Sequence, residues 1–385
     1  MISCREWLLK VFFFFLSTVV SGQNLSVNFF PDLVIGEIDE APKEYLFSGP
    51  EHISTDNHNN IYIADRNSSQ IRVFDEKGKF LKYIGRRGQG PGEFIEISCI
   101  LITSGGELLV SDRVNRRVTR FSLAGDYLAS YRVSEKQPVA PRTLLPLGEN
   151  AYVAKYIDRN LQASSPTLET IEYVHIYDKE FKGVRESIVK NTEIWDMNIL
   201  FEKAMANLSQ SINLASVGSN KILVSPLAYS GEMWLYEFND GVWRKKSIFG
   251  KQSEQPAYQL LENFQYIPEN RPAFSWIINT RHTGRVGAVL NRISIAVWQL
   301  RNGEIVHFVV LRDENEKWNL GMELFHKSGQ YKGYGLVDNF EFVDDKKVKA
   351  VLLWKDIMDR FYFADYQAGF PVIRRMSLSY RANSE

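Results

Sequence analysis

The segment HISTDNHNNIYIADRNSSQIRVFDEKGKFLKYIG, from His52 to Gly85, decides the fold because it recurs. The second copy, CILITSGGELLVSDRVNRRVTRFSLAGDYLASYRV, runs from Cys99 to Val133. Asp112 follows Asp65 by 47 positions (112 − 65), and this offset holds without a gap over at least 22 residues. A repeat of this period predicts a ring or stack of supersecondary units.

Each copy alternates short apolar runs with polar turns. In the first copy the runs IYIAD, IRVFD and FLKYIG show the period-two alternation of half-buried strands. The turns at Asn57–Asn60, Arg66–Ser69 and Glu76–Gly78 each contain Asn or Gly, which tolerate the positive φ of tight hairpins. Four short antiparallel strands per unit of about 40 to 50 residues are typical of a propeller blade.

The first copy and the loop after it, RRGQGPGEF, resemble an NHL repeat with its linker to the next blade. The resemblance is strongest over Glu51–Val133. It extends to a group of exported bacterial six-bladed propellers whose activity is largely unassigned. It implies an all-β protein, a six-bladed propeller of four-stranded antiparallel blades.

Weaker units follow the first two. Four further blades are predicted from apolar runs with hairpin turns, at Ala151–Ser187, Asn220–Gly250, Ile293–Phe325 and Asn339–Phe363. The early segment SVNFFPDLVIGEID is expected to supply a strand that closes the ring against the last blade, because an open ring leaves unpaired strand edges.

Two insertions interrupt the pattern. Asn191–Ile212 has helical spacing and predicts a short helix. Glu254–Ile278 mixes prolines with aromatic residues, among them Trp276. Loops on a rigid scaffold often carry binding functions, so both segments are candidates for ligand contact. The alternative is that they only cover exposed strand ends.

Charge excludes one class of function. The chain has 46 basic and 46 acidic residues, so its formal net charge is zero. A general nucleic-acid binder needs a basic surface that displaces counterions from phosphates. We therefore predict no nucleic-acid partner.

The first 22 residues predict a secretory signal. Arg5 and Lys10 precede an apolar run, Val11–Val20, and the small residues Ser21 and Gly22 follow it. The run is shorter than the roughly 20 apolar residues of a membrane span; an uncleaved anchor is the alternative. We expect a signal at 1–22 and a single domain at 23–385, exported to the periplasm or the medium, with no membrane span. After cleavage Cys99 is the remaining cysteine, and its apolar surroundings favour an inert buried thiol.

Arginines are the leading candidates for binding. Arg66 and Arg113 follow the equivalent Asp65 and Asp112, so neighbouring blades should present both on one face. Arg116 lies in the second of these turns. Alternatively, these arginines are solvated or form structural salt bridges.

The glycine-rich stretch GRRGQGPGEF contributes Arg86 and Arg87. It lacks the GK[ST] ending and the following helix of a phosphate loop, which favours a blade-connecting role. Asp65 and Asp112 are expected to cap turns rather than to catalyse, since each is one structural position used twice.

His52 is the candidate for the channel, because its strand should be the innermost of its blade. Propellers can assemble a metal site from one residue per blade, but the spacing of the six histidines shows no ligand motif. Related six-bladed lactonases and amidating lyases build such sites, and their ligands cannot be matched here. We predict no metal and no cofactor, and no catalytic residue is assigned.

Two functions remain open. The first is an exported binding or scaffold module for a protein, peptide or glycan partner. The second is a hydrolase or lyase with a channel site, lactonase-like or amidating-lyase-like and metal-assisted or not. Fold alone does not separate them.

Overall fold

The computed structural model describes most of the chain. The described residues are 22–36, 42–132, 140–149, 151–161, 167–179, 181, 184–196, 212–253, 255–261, 275–280, 284–315, 317–343, 347–367 and 370–383. The predicted signal, residues 1–21, lies outside them.

The chain forms six four-stranded blades around a central axis. The first strand, β1 (Gln23–Ile35), is followed by a 3₁₀ turn at Lys43–Tyr45. Blade 1 comprises β2 (Pro50–Thr55), β3 (Ile61–Asp65), β4 (Gln70–Phe74) and β5 (Phe80–Ile84). Two short strands, β6 (Arg86–Arg87) and β7 (Glu93–Phe94), pair in the linker to blade 2. Blade 2 comprises β8 (Ile97–Ile102), β9 (Glu107–Asp112), β10 (Arg117–Ser122) and β11 (Tyr127–Arg132).

The weaker repeats form blades of the same kind. Blade 3 comprises β12 (Thr143–Leu147), β13 (Ala151–Leu161), β14 (Thr167–Asp178) and β15 (Val184–Asp196). Blade 4 comprises β16 (Ile212–Val217), β17 (Lys221–Pro226), β18 (Glu232–Asn239) and β19 (Val242–Phe249). A three-stranded insertion follows, with β20 (Tyr258–Leu261), β21 (Ser275–Thr280) and β22 (Gly284–Leu290).

The last two blades share one sheet through the first strand. Blade 5 comprises β23 (Arg292–Gln299), β24 (Ile305–Arg312), β25 (Trp318–Phe325) and β26 (Tyr331–Leu336). Blade 6 comprises β27 (Ala350–Lys355), β28 (Arg360–Asp365) and β29 (Val372–Ala382), with β1 as its fourth strand. The six blades confirm the number predicted from the repeats.

The N-terminal strand closes the ring, as predicted. β1 runs antiparallel to β29 from Leu25, opposite Ala382, to Ile35, opposite Ile373. Its first residues also pair in parallel with β26, Gln23 opposite Gly333. It is therefore the outer strand of blade 6 and an edge cover for blade 5.

The hydrophobic core lies between blades. The buried apolar side chains form six clusters, and each cluster joins two neighbouring blades around the ring. The cluster between blades 5 and 6 contains Phe29 of β1, whose ring centroid lies 5.1 Å from that of Phe363 and 5.7 Å from that of Phe308. Because no blade buries its faces alone, stability depends on the complete circle.

Strand direction defines two faces of the ring. Within each blade the strands alternate in direction, so the turns between second and third strands lie at the same end as the connections between blades. We call this end the mouth face. Both insertions predicted from the sequence start and finish there, between β15 and β16 and between β19 and β23.

The predicted helix over Asn191–Ile212 is wrong where the structure describes it. Residues 191–196 belong to β15 and pair with β14, Asn191 opposite Glu172 and Asp196 opposite Thr167. Ile212 begins β16, and residues 197–211 lie outside the described residues. β-branched residues and a free strand edge outweigh helical spacing here. The described ranges contain no α-helix, and in them no helix is long and apolar enough to cross a membrane.

Closure by β1 predicts an asymmetric response to two adjacent substitutions. Phe29 is 1% exposed, whereas Phe30 is 54% exposed. Phe29→Ala should lower the free energy of unfolding by about 3–5 kcal/mol because it empties a core position. Phe30→Ala should change it by less than about 0.5 kcal/mol. Urea unfolding of both variants tests this, and equal effects would contradict the closing role of β1.

Candidate functional site

The six innermost strands surround a central channel. Residues of β2, β8, β12, β16, β23 and β27 all line one cavity of about 190 Å³. Most of the residues that line it are apolar, for example Leu145, Ile295 and Leu353. His52 lies on β2 and lines this cavity, which contacts all six blades, and its role in the channel stays a prediction.

The polar side chains of the channel gather near its mouth end. Four polar residues that line the cavity are His52, Arg142, Lys155 and Asn213. The first, second and fourth lie at or near the start of an inner strand, and Lys155 lies on the strand beside one. Lys155 donates from Nζ to the carbonyl oxygen of Ile212 at 2.7 Å, and the amide of Arg142 donates to the carbonyl of Lys155. Cations from blade 3 thus stand beside the amide side chain from blade 4.

A second hollow opens above the channel between blades 1, 2 and 3. It has a volume of about 310 Å³, and His52 and Arg142 line both cavities. The hollow, which we call the mouth, is lined by Glu51, His52, Arg66, Glu96, Ile97, Ser98, Arg113 and Arg142. Its charged set therefore has three arginines and two glutamates.

Glu96 brings the two repeat-related arginines together. Arg113 donates to both of its carboxylate oxygens, from Nε at 2.8 Å and from Nη2 at 2.6 Å. Arg66 Nη1 lies 3.0 Å from Glu51 Oε1, and its Nη2 lies 3.8 Å from Glu96 Oε1. The hydrogen bond from Arg113 is the main cause that lowers the pKa of Glu96. Both arginine side chains stay about half exposed, 52% and 44%, so their outer edges face solvent.

The aspartates before these arginines anchor the turns, as expected. Asp65 accepts the amide and hydroxyl of Ser48 and the guanidinium of Arg72, at 3.0 Å each. Asp112 accepts the amides of Ile95, at 2.8 Å, and Val114, at 3.1 Å. Both carboxylates are fully buried. Their geometry fixes the position of the next residue and leaves no room for substrate.

His52 stands at the junction of mouth and channel. Burial at the channel wall lowers the pKa of its imidazole from the ordinary 6.5 to about 4. The side chain is therefore uncharged at neutral pH and can donate or accept a hydrogen bond.

Comparisons with known proteins agree with this architecture. A family model described as "DUF5128: 6-bladed beta-propeller" matches residues 40–224. The chain is a six-bladed β-propeller. The resemblance to NHL-like propellers is consistent with this fold. A search of curated proteins finds no match.

Solved structures show the same fold at low identity. A member of the DUF4221 family from Bacteroides vulgatus aligns with a TM-score of 0.53 and 10% identity, over 93% of this chain and 100% of its own. A protein from Bacteroides fragilis, named as an exported protein, aligns with a TM-score of 0.50 and 13% identity, over 96% of this chain and 98% of its own. A gluconolactonase from Xanthomonas campestris aligns with a TM-score of 0.48 and 10% identity, over 93% and 99%. The first two alignments show the fold alone.

The glycine-rich loop of the propeller connects blades 1 and 2. The carboxylate of Glu93 accepts from the amide of Gly90 and from Nε of Arg86, both at 2.8 Å. Arg117 donates to carbonyl oxygens of the loop, including that of Gly90 at 2.7 Å. The loop thus binds a carboxylate of its own, that of Glu93. Arg86 and Arg87 are exposed there and do not line the mouth.

Two other predicted residues lie apart from the mouth. Arg116 is exposed in the turn after Asp112, with a left-handed φ of 52°, the position that Ser69 occupies in blade 1 with a φ of 49°. Trp276 lies in β21 of the insertion, and its side chain is outside the described residues. Binding roles for both remain predictions.

Sequence reasoning missed Arg142, Lys155 and Asn213. The register of the inner strands contains the signal that would have found them. Each of these pairs joins the first and second strands of its blade: His52 with Ala64 in blade 1, Thr143 with Lys155 in blade 3, and Asn213 with Ser225 in blade 4.

Metal ligands do not gather in the described part of the propeller. No group of three or more His, Cys, Asp or Glu side chains there is placed to hold an ion. Cys99 lines the channel, and burial raises the pKa of its thiol to about 12, so at neutral pH it is a poor ligand and nucleophile.

The depressed pKa of His52 predicts an acid-dependent stability. The unfolded imidazole binds its proton near pH 6.5 and the folded one only near 4, so acid favours the unfolded chain between these values. Stability should fall as pH drops through this window, and His52→Gln should make the fall shallower. Urea unfolding at pH 7, 5.5 and 4.5 measures the slope. His58→Gln, in an exposed turn on the opposite face, is the control and should keep the wild-type slope; an unchanged slope in His52→Gln would contradict the assignment.

Proposed function

We propose that the protein is an exported binding module that takes an anionic group of a protein, peptide or glycan partner at the mouth. The observation that carries the proposal is the pairing of Arg66 and Arg113 around Glu96 above the channel. Two turns from successive repeats thereby aim guanidinium groups at one hollow.

The arginines suit a carboxylate ligand. A guanidinium offers five donors in a planar fork that matches a carboxylate. Arg113 already demonstrates this geometry with Glu96. The side chains of Arg66 and Arg113 stay about half exposed beside Glu51 and Glu96, so a partner's carboxylate can reach their outer edges.

The scaffold supports recognition by rigid placement. The arginines follow buried aspartates that are held by several hydrogen bonds each, so little conformational freedom of these turns is lost on binding. The two insertions start on the same face and can extend the contact surface. Trp276 belongs to one of them.

Export is part of the proposal. The predicted signal ends at Gly22, and the closing strand β1 begins at Gln23. A cut at this point removes the predicted signal and retains every residue that closes the ring.

A channel enzyme is the second candidate, because His52 and Asn213 converge in one cavity with two cations. The described lining of that cavity contains no Asp or Glu, and Glu51 and Glu96 belong to the mouth, where arginines hold them. General acid-base chemistry in the channel would therefore rest on an imidazole of low pKa, which makes it a weak base. The binding module accounts better for these side chains.

The binding proposal predicts charge-dependent capture of defined ligands. Arrayed acidic and neutral glycans and peptides are probed with the mature protein and with an Arg66→Ala/Arg113→Ala variant. With every peptide C-terminus amidated, ligands that carry a side-chain or sugar carboxylate should bind, and the variant should bind them at least about tenfold more weakly, since charged hydrogen bonds contribute roughly 1.5–3 kcal/mol each.

Arg244→Ala is the matched control. Arg244 is 65% exposed on β19 and lies 4.0 Å from Asp240, away from the mouth. It should leave binding unchanged. Binding that is insensitive to the mouth arginines, or equal loss in the control, would contradict the proposal.

The enzyme alternative predicts a bound metal if its chemistry is metal-assisted. Elemental mass spectrometry of the purified mature protein, with thermal melting in the presence and absence of chelator, decides this. We expect no stoichiometric metal and an unchanged melting temperature. One tightly held metal per chain, with a large loss of melting temperature on chelation, would favour the channel enzyme.

A further inference from the structure

A buried hydrogen-bond chain runs from blade 5 to the channel wall. His307 Nδ1 lies 2.8 Å from Glu323 Oε2, and its Nε2 lies 2.9 Å from the hydroxyl of Ser294. Glu323 also accepts from the hydroxyl of Tyr229 and the amide of Lys251, at 2.7 Å each. All of these side chains except that of Lys251 are almost fully buried. No substrate can reach this chain, so its effect must be exerted through the group at its end.

That group is the side chain of Asn213. Its Nδ2 donates to the carbonyl oxygen of Ser294 at 2.8 Å and to the Ser294 hydroxyl at 2.9 Å. A carbonyl oxygen only accepts hydrogen bonds. The amide nitrogen of Asn213 must therefore face Ser294, and its Oδ1 is the hydrogen-bond acceptor that faces the channel.

Cations stand beside this acceptor. Lys155 Nζ bonds the carbonyl of Ile212, the residue before Asn213, and Arg142 lines the same cavity. The same cavity is also lined by apolar residues, among them Leu145, Ile295 and Leu353. The mouth end of the channel therefore combines positive charge, one fixed acceptor and an apolar surface.

The size of the cavity limits what enters. A cavity of about 150 Å³ holds one benzene molecule, and the volume of this open channel is about 190 Å³. It accommodates one residue rather than a length of chain.

We propose that the channel holds the C-terminal residue of a peptide. Its carboxylate meets Lys155 and Arg142, its backbone N–H donates to Asn213 Oδ1, and an apolar side chain packs against Leu145 and Ile295. The preceding residues leave through the mouth. This inference rests on the proposed binding function and names the chemistry of its ligand, with Asn213 as the residue that determines specificity.

Three small probes test the recognition by isothermal titration of the mature protein. N-acetyl-L-leucine has the carboxylate, the N–H and the side chain; its carboxamide lacks the charge; 4-methylpentanoate lacks the N–H. We expect N-acetyl-L-leucine to bind at least tenfold more tightly than the carboxamide and about three- to tenfold more tightly than 4-methylpentanoate. Equal affinity for acid and carboxamide, or no binding of any probe, would overturn the inference.

Variants assign the roles of the side chains. Asn213→Leu should reduce the affinity for N-acetyl-L-leucine to that for 4-methylpentanoate and leave the latter unchanged, which also shows that the variant is folded. Lys155→Met should weaken both acids. Asn220→Leu is the matched control, because its amide also donates to a backbone carbonyl, that of Phe238, at the opposite face. If Asn213→Leu keeps the wild-type preference, the acceptor role is wrong.

A longer probe separates the two sources of this chemistry. Acetyl-Gly-Gly-Leu should bind at least as tightly as N-acetyl-L-leucine, since its chain leaves through the mouth. Weaker binding would overturn the proposal that the ligand is a peptide and would indicate that it is a free N-acyl amino acid. The small probes lie below Arg66 and Arg113, so the Arg66→Ala/Arg113→Ala variant should still bind them. If the small probes fail to bind while the mouth still captures acidic ligands, this inference alone is refuted. If the probes bind while the mouth captures nothing, only the proposed binding at the mouth is refuted.

Discussion

The pairing of β1 with β29 is the contact on which the rest of the structure depends. It joins the first and last strands of the propeller, with Leu25 opposite Ala382, and the first residues of β1 also pair with β26. Each core cluster lies between two blades, so a ring that fails to close exposes two apolar faces at once. The channel exists only in the closed ring, because its wall takes residues from every blade.

Closure converts a local repeat into a site. Each of the first two repeats offers a buried aspartate, Asp65 or Asp112, that holds a turn, and the arginine after it is exposed. Two successive repeats place Arg66 and Arg113 on either side of Glu96. The third blade then completes the hollow with Arg142, whose own amide is held by the carbonyl of Lys155. The site is therefore a consequence of ring geometry rather than of any single motif.

Sequence reasoning reached the parts of this arrangement that repetition encodes. The 47-residue offset was sufficient to place Arg66 and Arg113 on one face and His52 on an inner strand. It did not reach Asn213, since the repeats diverge after blade 2 and the contacts of Asn213 with Ser294 span 81 positions.

The misassigned helix has a related cause. Its spacing was judged within one segment, whereas Asn191 to Asp196 extend β15 because β14 offers a partner edge. Pairing between distant strands is decided by tertiary contacts that a local period does not contain.

Burial divides the polar side chains of the ring into two sets with different uses. Arg72 and Asp65 are almost fully buried, so removing either partner would leave an uncompensated charge, and the pair serves to hold the turn. Arg113 and Glu96 are partly exposed, and pairs of that kind contribute only about 0–1 kcal/mol. Exchanging Glu96 for a carboxylate of a partner therefore costs little, while the buried pairs keep the arginines in place. In the channel the ligand meets a buried set instead. The Ser294–His307–Glu323 chain is buried and rigid, so Asn213 offers its acceptor oxygen at a fixed point. The selectivity of the channel follows because this group cannot reorient.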